Sequence, residues 1–241
     1  MKRRYKELKY VLVILIVVSI IVSIIFIAWL YSPNNVDEIF VDEIFSVDQS
    51  FIENGDFETG SLTGWGYSSF GHKSNFGEVN VARVKPHSGN YSARLILAGD
   101  TKTVKLEPII PEKAVSKIKR FDFWYRLVNK NGTNLVVTLL IKKDVPDLDY
   151  RSMTYILNNK GSEYKYYNET SQIAFEIQNA DVEWKEFSRN IADDFKNYWD
   201  RDNIDDFILK KISIEMHVDE EFRGPDDLYV YFDDFNMLIV G

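Results

Sequence analysis

The sequence predicts an all-β sandwich behind a single membrane-spanning helix. Three observations predict it. Most of the chain after residue 50 is a series of short runs rich in branched and aromatic residues, separated by turn residues, with no helices long enough to cross between parallel strands. Residues 11–30, VLVILIVVSIIVSIIFIAWL, carry no charge, proline or glycine. At 1.5 Å per residue that run is about 30 Å long as a helix, the thickness of a bilayer's hydrocarbon core. The chain also has no cysteine among 241 residues, so an exported domain must hold together without disulfides.

From the N-terminus, Lys2, Arg3, Arg4, Lys6 and Lys9 stand against Glu7 alone. Basic residues before a first span stay inside, so residues 1–9 read as a cytoplasmic tail, 10–31 as the spanning helix, and all that follows as extracytoplasmic. A cleaved signal peptide is the alternative, but it needs a shorter apolar stretch and a small-residue cleavage site, which AWLYSPNN does not offer. Residues 32–49 hold VDEIFVDEIF, a tandem five-residue repeat that reads as an acidic stalk. The chain carries a net charge of −8, and with a basic tail set aside its outer part is more acidic still. That excludes nucleic acid as a partner and leaves cations or plain solubility.

The domain spans 50–241. Strands are expected over 78–86, 91–99, 103–110, 117–128, 134–143, 212–218 and 228–240, with one short helix at 191–200. Ile212, Ile214, Met216 and Val218 alternate with Ser213, Glu215 and His217, the pattern of a strand with one buried face. Phe121, Phe123 and Tyr125 alternate likewise, which directs Asp122, Trp124 and Arg126 outward. Residues 144–180 are tyrosine-rich and polar and read as a long hairpin or an excursion from the sheets. Trp65 and Trp184 are expected in the core.

Four stretches in order then carry a resemblance. Asn54, Gly55, Asp56, Phe57 and Glu58, followed by Gly60, Leu62, Gly64 and Trp65, form the first. HSGNYSARL from His87, VEWKEFS from Val182 and DLYVYFDDFNML from Asp227 are the others. Together they resemble the jelly-roll carbohydrate-binding modules of the galactose-binding-domain-like superfamily. The resemblance implies a jelly-roll β-sandwich and a structural calcium where the first motif meets the last strand. Glu58 and Asp233 would give side-chain oxygens, and backbone carbonyls near Asp56 and in the Lys85–Ser88 turn would complete the shell of a hard ion that takes six to eight oxygens. The alternative is that Glu58 and Asp233 only accept hydrogen bonds from loop amides. Asp234, next along the strand, is expected to face the other way.

A sugar site needs aromatic faces and hydroxyl-binding groups, and the outward trio Trp124, Asp122 and Arg126 is the candidate. Tyr150, Tyr155, Tyr164, Tyr166 and Tyr167 are further aromatic candidates. A catalytic set is missing. There is no thiol, and His72, His87 and His217 fall at no metal-ligand or triad spacing. Asn90, Asn131 and Asn168 begin glycosylation sequons. The expected function is a membrane-anchored, non-catalytic carbohydrate-binding module stabilised by calcium, with a glycan or surface-layer component as partner. The rival is an accessory subunit of a membrane complex or cell-surface layer that uses the sandwich as a protein-binding platform; a small surface hydrolase would require two facing carboxylates in a cleft.

Overall fold

The structure, a computed structural model, describes residues 50–71, 77–97, 101–128, 132–144, 149–159, 171–177, 180–218 and 228–240. The tail, the apolar run and the acidic stalk lie outside the described residues, as do Asn131, Asn168, His72, Tyr164, Tyr166 and Tyr167. Among the described residues no helix is long and apolar enough to cross a membrane.

Among the described residues twelve strands make two sheets. They are β1 (Trp65–Gly71), β2 (Glu78–Ala82), β3 (Ser92–Leu97), β4 (Thr101–Pro108), β5 (Lys113–Ala114), β6 (Ile118–Leu127), β7 (Thr133–Lys143), β8 (Tyr150–Asn159), β9 (Gln172–Glu176), β10 (Lys185–Arg189), β11 (Phe207–Val218) and β12 (Leu228–Ile239). The seven-stranded sheet runs β1-β4-β11-β7-β8-β9 with β5 beside β11, and the five-stranded sheet runs β10-β6-β12-β3-β2. Antiparallel pairing prevails; only β9 lies parallel to its neighbour β8. This is a two-sheet β-sandwich, as the strand runs predicted.

The alternation that predicted the strands also builds the core. From β6, Phe121, Phe123, Tyr125 and Leu127 point inward and are fully buried; from β11, Ile212, Ile214 and Met216 meet them from the other sheet. Phe123 stacks on Phe187 of β10 at 4.7 Å and on Phe235 of β12 at 4.7 Å. The helix α1 (Ile191–Tyr198) is capped by Asn190, whose side chain accepts from the Asp193 amide, and buries Ile191, Ala192 and Phe195. It is anchored where Asp194 accepts from Tyr155 Oη and Arg189 Nε, both at 2.8 Å.

Two sequence expectations need correction. Residues 150–159 and 172–176 are no excursion: β8 and β9 belong to the seven-stranded sheet, and Met153, Tyr155 and Leu157 are fully buried in the core. Polar outward positions on β8 masked an inward row. Tyr155 therefore cannot meet a ligand. Trp65 is a core residue at 6% exposure, whereas Trp184 is half-buried and packs edge-on to His87.

The segment before β1 is a chain of turns packed against the last strand. The Phe235 amide donates to Gly55 O at 3.0 Å, and Phe57, Trp65 and Phe235 form an aromatic cluster with centroids 4.8 to 6.1 Å apart. A Cβ on Gly55 would lie 2.2 Å from the Phe235 carbonyl oxygen. Gly55→Ala must therefore push two backbones apart, and a loss of about 3 kcal/mol in a denaturant titration is the expected result.

Candidate functional site

The first and last sequence motifs meet at one turn, His87–Tyr91. Asp233 Oδ2 accepts from the amides of His87 (2.8 Å) and Ser88 (3.2 Å), and Oδ1 accepts from the Asp234 amide (2.9 Å). From the other side Glu58 Oε1 accepts from the amides of Asn90 (2.7 Å) and Tyr91 (2.8 Å), and Oε2 from Asn90 Nδ2 (3.1 Å). Gly89 is left-handed at φ 56°, and a Cβ there would sit 2.5 Å from Glu58 Oε1. The glycine is required by both conformation and space.

Asp234 corrects an expectation. It is left-handed at φ 52° at an irregularity where β12 shifts register, so strict alternation fails. Its carboxylate turns to the same turn, 2.6 Å from His87 Nδ1 and accepting from Ser88 Oγ at 2.6 Å.

Burial pushes the Asp233 carboxyl up to about 7; the nearby Asp234 charge adds to this, and the amide bonds from Ser88, Asp234 and His87 oppose it. Glu58 is held below the usual carboxylate range, chiefly by the Asn90 amide. Among the described residues neither is ion-paired to lysine or arginine. Three carboxylates face one turn; Asp234 is paired with His87, while Glu58 and Asp233 are satisfied by amide donors. Among the described residues no three His, Asp or Glu side chains are placed to hold a metal ion. An ion here would thus depend on backbone carbonyls as well. Asp56 accepts from the Glu58 amide at 3.2 Å, and Lys85 is left-handed at φ 49°, so both flank the clamp with constrained backbone.

The outward trio of β6 is where alternation put it, on the outer face of the five-stranded sheet, but the protein itself occupies Trp124 and Asp122. His87 lies flat on Trp124, with ring centroids 3.9 Å apart at 11°, so that face of the indole is closed to a sugar. Asp122 pairs with Arg120 at 2.7 Å, and burial raises its carboxyl despite that partner. Arg126 Nε donates to Val182 O. Asn90 is exposed, but its amide nitrogen serves Glu58, and the sequon hydroxyl, Ser92, is fully buried.

A second outward face with ligand-like chemistry lies on the other sheet. Across β1, β4, β11 and β7 the register sets Phe70 beside Thr103, Thr103 beside His217 and His217 beside Asn134. The next row outward-facing on β4 and β11 pairs Lys105 with Glu215. Residues directly opposite in neighbouring strands share a face, so these side chains form one surface. Thr103 Oγ1 is 2.9 Å from His217 Nδ1, Lys105 Nζ is 2.8 Å from Glu215 Oε1, and His217 Nε2 is 3.1 Å from Glu215 Oε2. Ser213 Oγ lies between Glu215 Oε1 (2.8 Å) and Glu107 Oε1 (3.2 Å), and Lys211 Nζ holds Glu107 at 2.7 Å. At the margin of this ladder Phe70 is 58% exposed, with Lys105 Nζ 5.9 Å from its ring.

The two carboxylates of this face are close, yet they are not set for acid–base hydrolysis. Burial opposes charge on Glu215, but His217, Lys105 and Ser213 outweigh it and hold the carboxyl at about 2. Glu107 is paired with an ammonium. A glycosidase needs one of its two carboxyls protonated near working pH. What the face offers is an exposed aromatic ring beside fixed donors and acceptors. The alternation of β11 by itself places Ser213, Glu215 and His217 outward, whereas Phe70 lies in a run without a period.

No family model matches the chain, and no curated protein matches it. Solved structures do resemble it in shape. One is TmCBM61 in complex with beta-1,4-galactotriose, 18% identical, with 80% of this chain and 99% of that one covered and a TM-score of 0.41. A family 11 carbohydrate-binding module from Clostridium thermocellum, in complex with a mixed-linked tetrasaccharide, is 12% identical, with 77% and 93% covered and a TM-score of 0.42. The catalytic domain of Humicola grisea Cel12A is 13% identical, with 80% and 99% covered and a TM-score of 0.48. At these values the likeness concerns sheet architecture, and no ligand, residue role or activity is carried over from it.

Proposed function

We propose that the chain is a non-catalytic glycan-binding module, tethered to a membrane by residues 10–31, with calcium supporting the clamp between its first and last motifs. The observation that carries the glycan reading is the exposed Phe70 ring beside the Thr103–His217 and Lys105–Glu215 rows. A pyranose ring has an apolar face for an aromatic side chain and hydroxyls that both donate and accept, so a ring beside paired ammonium, imidazole and carboxylate groups matches its chemistry. The charged groups neutralise one another, which favours an uncharged saccharide at this face.

In the calcium reading Glu58 and Asp233 supply side-chain oxygens, and carbonyls near Asp56, Lys85 and Ser88 complete the shell. The ion would supply the positive charge that the buried Asp233 lacks among its described neighbours. Calorimetric titration of the detergent-solubilised full chain against a panel of neutral oligosaccharides, with calcium present, tests the function. Saturable binding to one class is the expected outcome. If no oligosaccharide produces heat, the glycan reading is wrong.

A further inference from the structure

The outer face of the five-stranded sheet carries a second row, built of positive charge. Tyr231 of β12 stands in register with Arg126 of β6 on one side and with Arg94 of β3 on the other, and Arg94 stands opposite Asn80 of β2. With strands about 4.8 Å apart, the two arginine Cα atoms are about 10 Å from each other across the tyrosine. Among the described residues each guanidinium is hydrogen-bonded through Nε alone: Arg94 Nε donates to Asn80 Oδ1 at 3.1 Å, and Arg126 Nε donates to Val182 O. Arg94 also lies 5.8 Å from the centroid of the Tyr229 ring, a cation–π contact that fixes its plane.

Three other arginines of the domain are used differently, and Arg83 spends an amino group on the Tyr91 hydroxyl. Arg120, Arg151 and Arg189 each hold a carboxylate: Asp122, Asp202 and Asp194 respectively. Arg94 and Arg126 have no carboxylate partner among the described residues, in a chain whose 37 acidic residues outnumber its 29 basic ones. Glu78, on the strand beside Arg94, is committed to Asn80 Nδ2, and the buried Asp233 to the His87–Ser88 amides. Two oriented guanidinium forks with their terminal amino groups unspent are a receptor for planar or tetrahedral oxyanions.

The geometry points to this row as a binding site for an anionic saccharide, one bearing carboxylate or sulfate groups, separate from the Phe70 face. A saccharide suits it better than a peptide. β12 is flanked by β6 and β3 on both sides, so no strand edge is open for a peptide backbone to pair with. The inference stands or falls apart from the glycan reading of the Phe70 face, because the two sites are on different sheets.

The full chain in detergent micelles, titrated with oligogalacturonate, with dextran sulfate and with uncharged dextran, tests it. Binding of at least one charged glycan is expected, and uncharged dextran should not bind here. Which polymer binds tells a carboxylate ligand from a sulfate ester. Arg94→Gln with Arg126→Gln should weaken that binding at least tenfold. Arg94→Lys with Arg126→Lys, which keeps the charge and removes the forks, should weaken it less. Phe70→Ala should leave it unchanged, and unaltered thermal melting of the variants checks their fold. No binding of either charged polymer, binding that survives the double glutamine variant, or equal arginine-dependent binding of poly-glutamate would each overturn the assignment.

Discussion

Asp233→Ala melts on the order of 10 °C below the parent in a calcium-free thermal scan. Asp233 is fully buried and is the acceptor for three backbone amides, two of them from a turn 145 or more residues away in the chain. Removing it leaves those donors without a partner in a space that water cannot readily refill, a loss of about 3–5 kcal/mol. For a domain of this length each kcal/mol moves the midpoint by about 2–4 °C. Asp233→Asn retains one carbonyl acceptor and should lose less than half as much.

The same residue sets a pH dependence with a definite sign. Its folded carboxyl titrates at about 7, against about 4 for an unfolded aspartate. Between those values the native state keeps a proton that the unfolded state has released. This contribution to stability is therefore fully present below about pH 4 and is lost as pH rises through 7. Chelated protein should melt higher at pH 5 than at pH 8, and Asp233→Asn should flatten that difference. A bound calcium ion would favour the ionised carboxylate and reverse the slope at neutral pH. If added calcium changes neither the slope nor the midpoint, the metal is no part of the clamp.

Phe70→Ala weakens neutral-glycan binding by about a hundredfold in calorimetric titration, while the melting midpoint stays within about 2 °C. Truncating one aromatic platform costs about 1–3 kcal/mol of binding, and a central one more. Stability is spared because Phe70 is 58% exposed on an edge strand and buries little in the core. His217→Ala should act more weakly on binding and also disturb Thr103 and Glu215, with which it is in contact. Binding that persists in Phe70→Ala would move the glycan site off this face.

The residues alone determined the all-β sandwich class and the direction of side chains on the strands that alternate cleanly. Phe121, Phe123 and Tyr125 were directed inward by a period of two, and so were Ile212, Ile214 and Met216; all six are in the core. Such alternation is a property of one strand's backbone and needs no partner to be read. It misled where the backbone leaves that period. Asp234 enters a left-handed conformation at a register shift and joins Asp233 at one turn, and the polar outward row of β8 hid its inward row.

Tertiary structure decided which outward faces remain open. Trp124 points outward as its spacing requires, yet His87 arrives from another strand connection and covers it. Phe70 lies in a short run without charge or clear period, and it gains a role only because β4 and β11 set Thr103, Lys105, Glu215 and His217 beside it. Arg94 and Arg126 are 32 positions apart and become neighbours across Tyr231 only through β12. Local periodicity fixes the side of a sheet on which an atom lies. What meets it there depends on which distant strands pair, and that follows from burying both sheets' apolar faces at once, a condition on the whole chain.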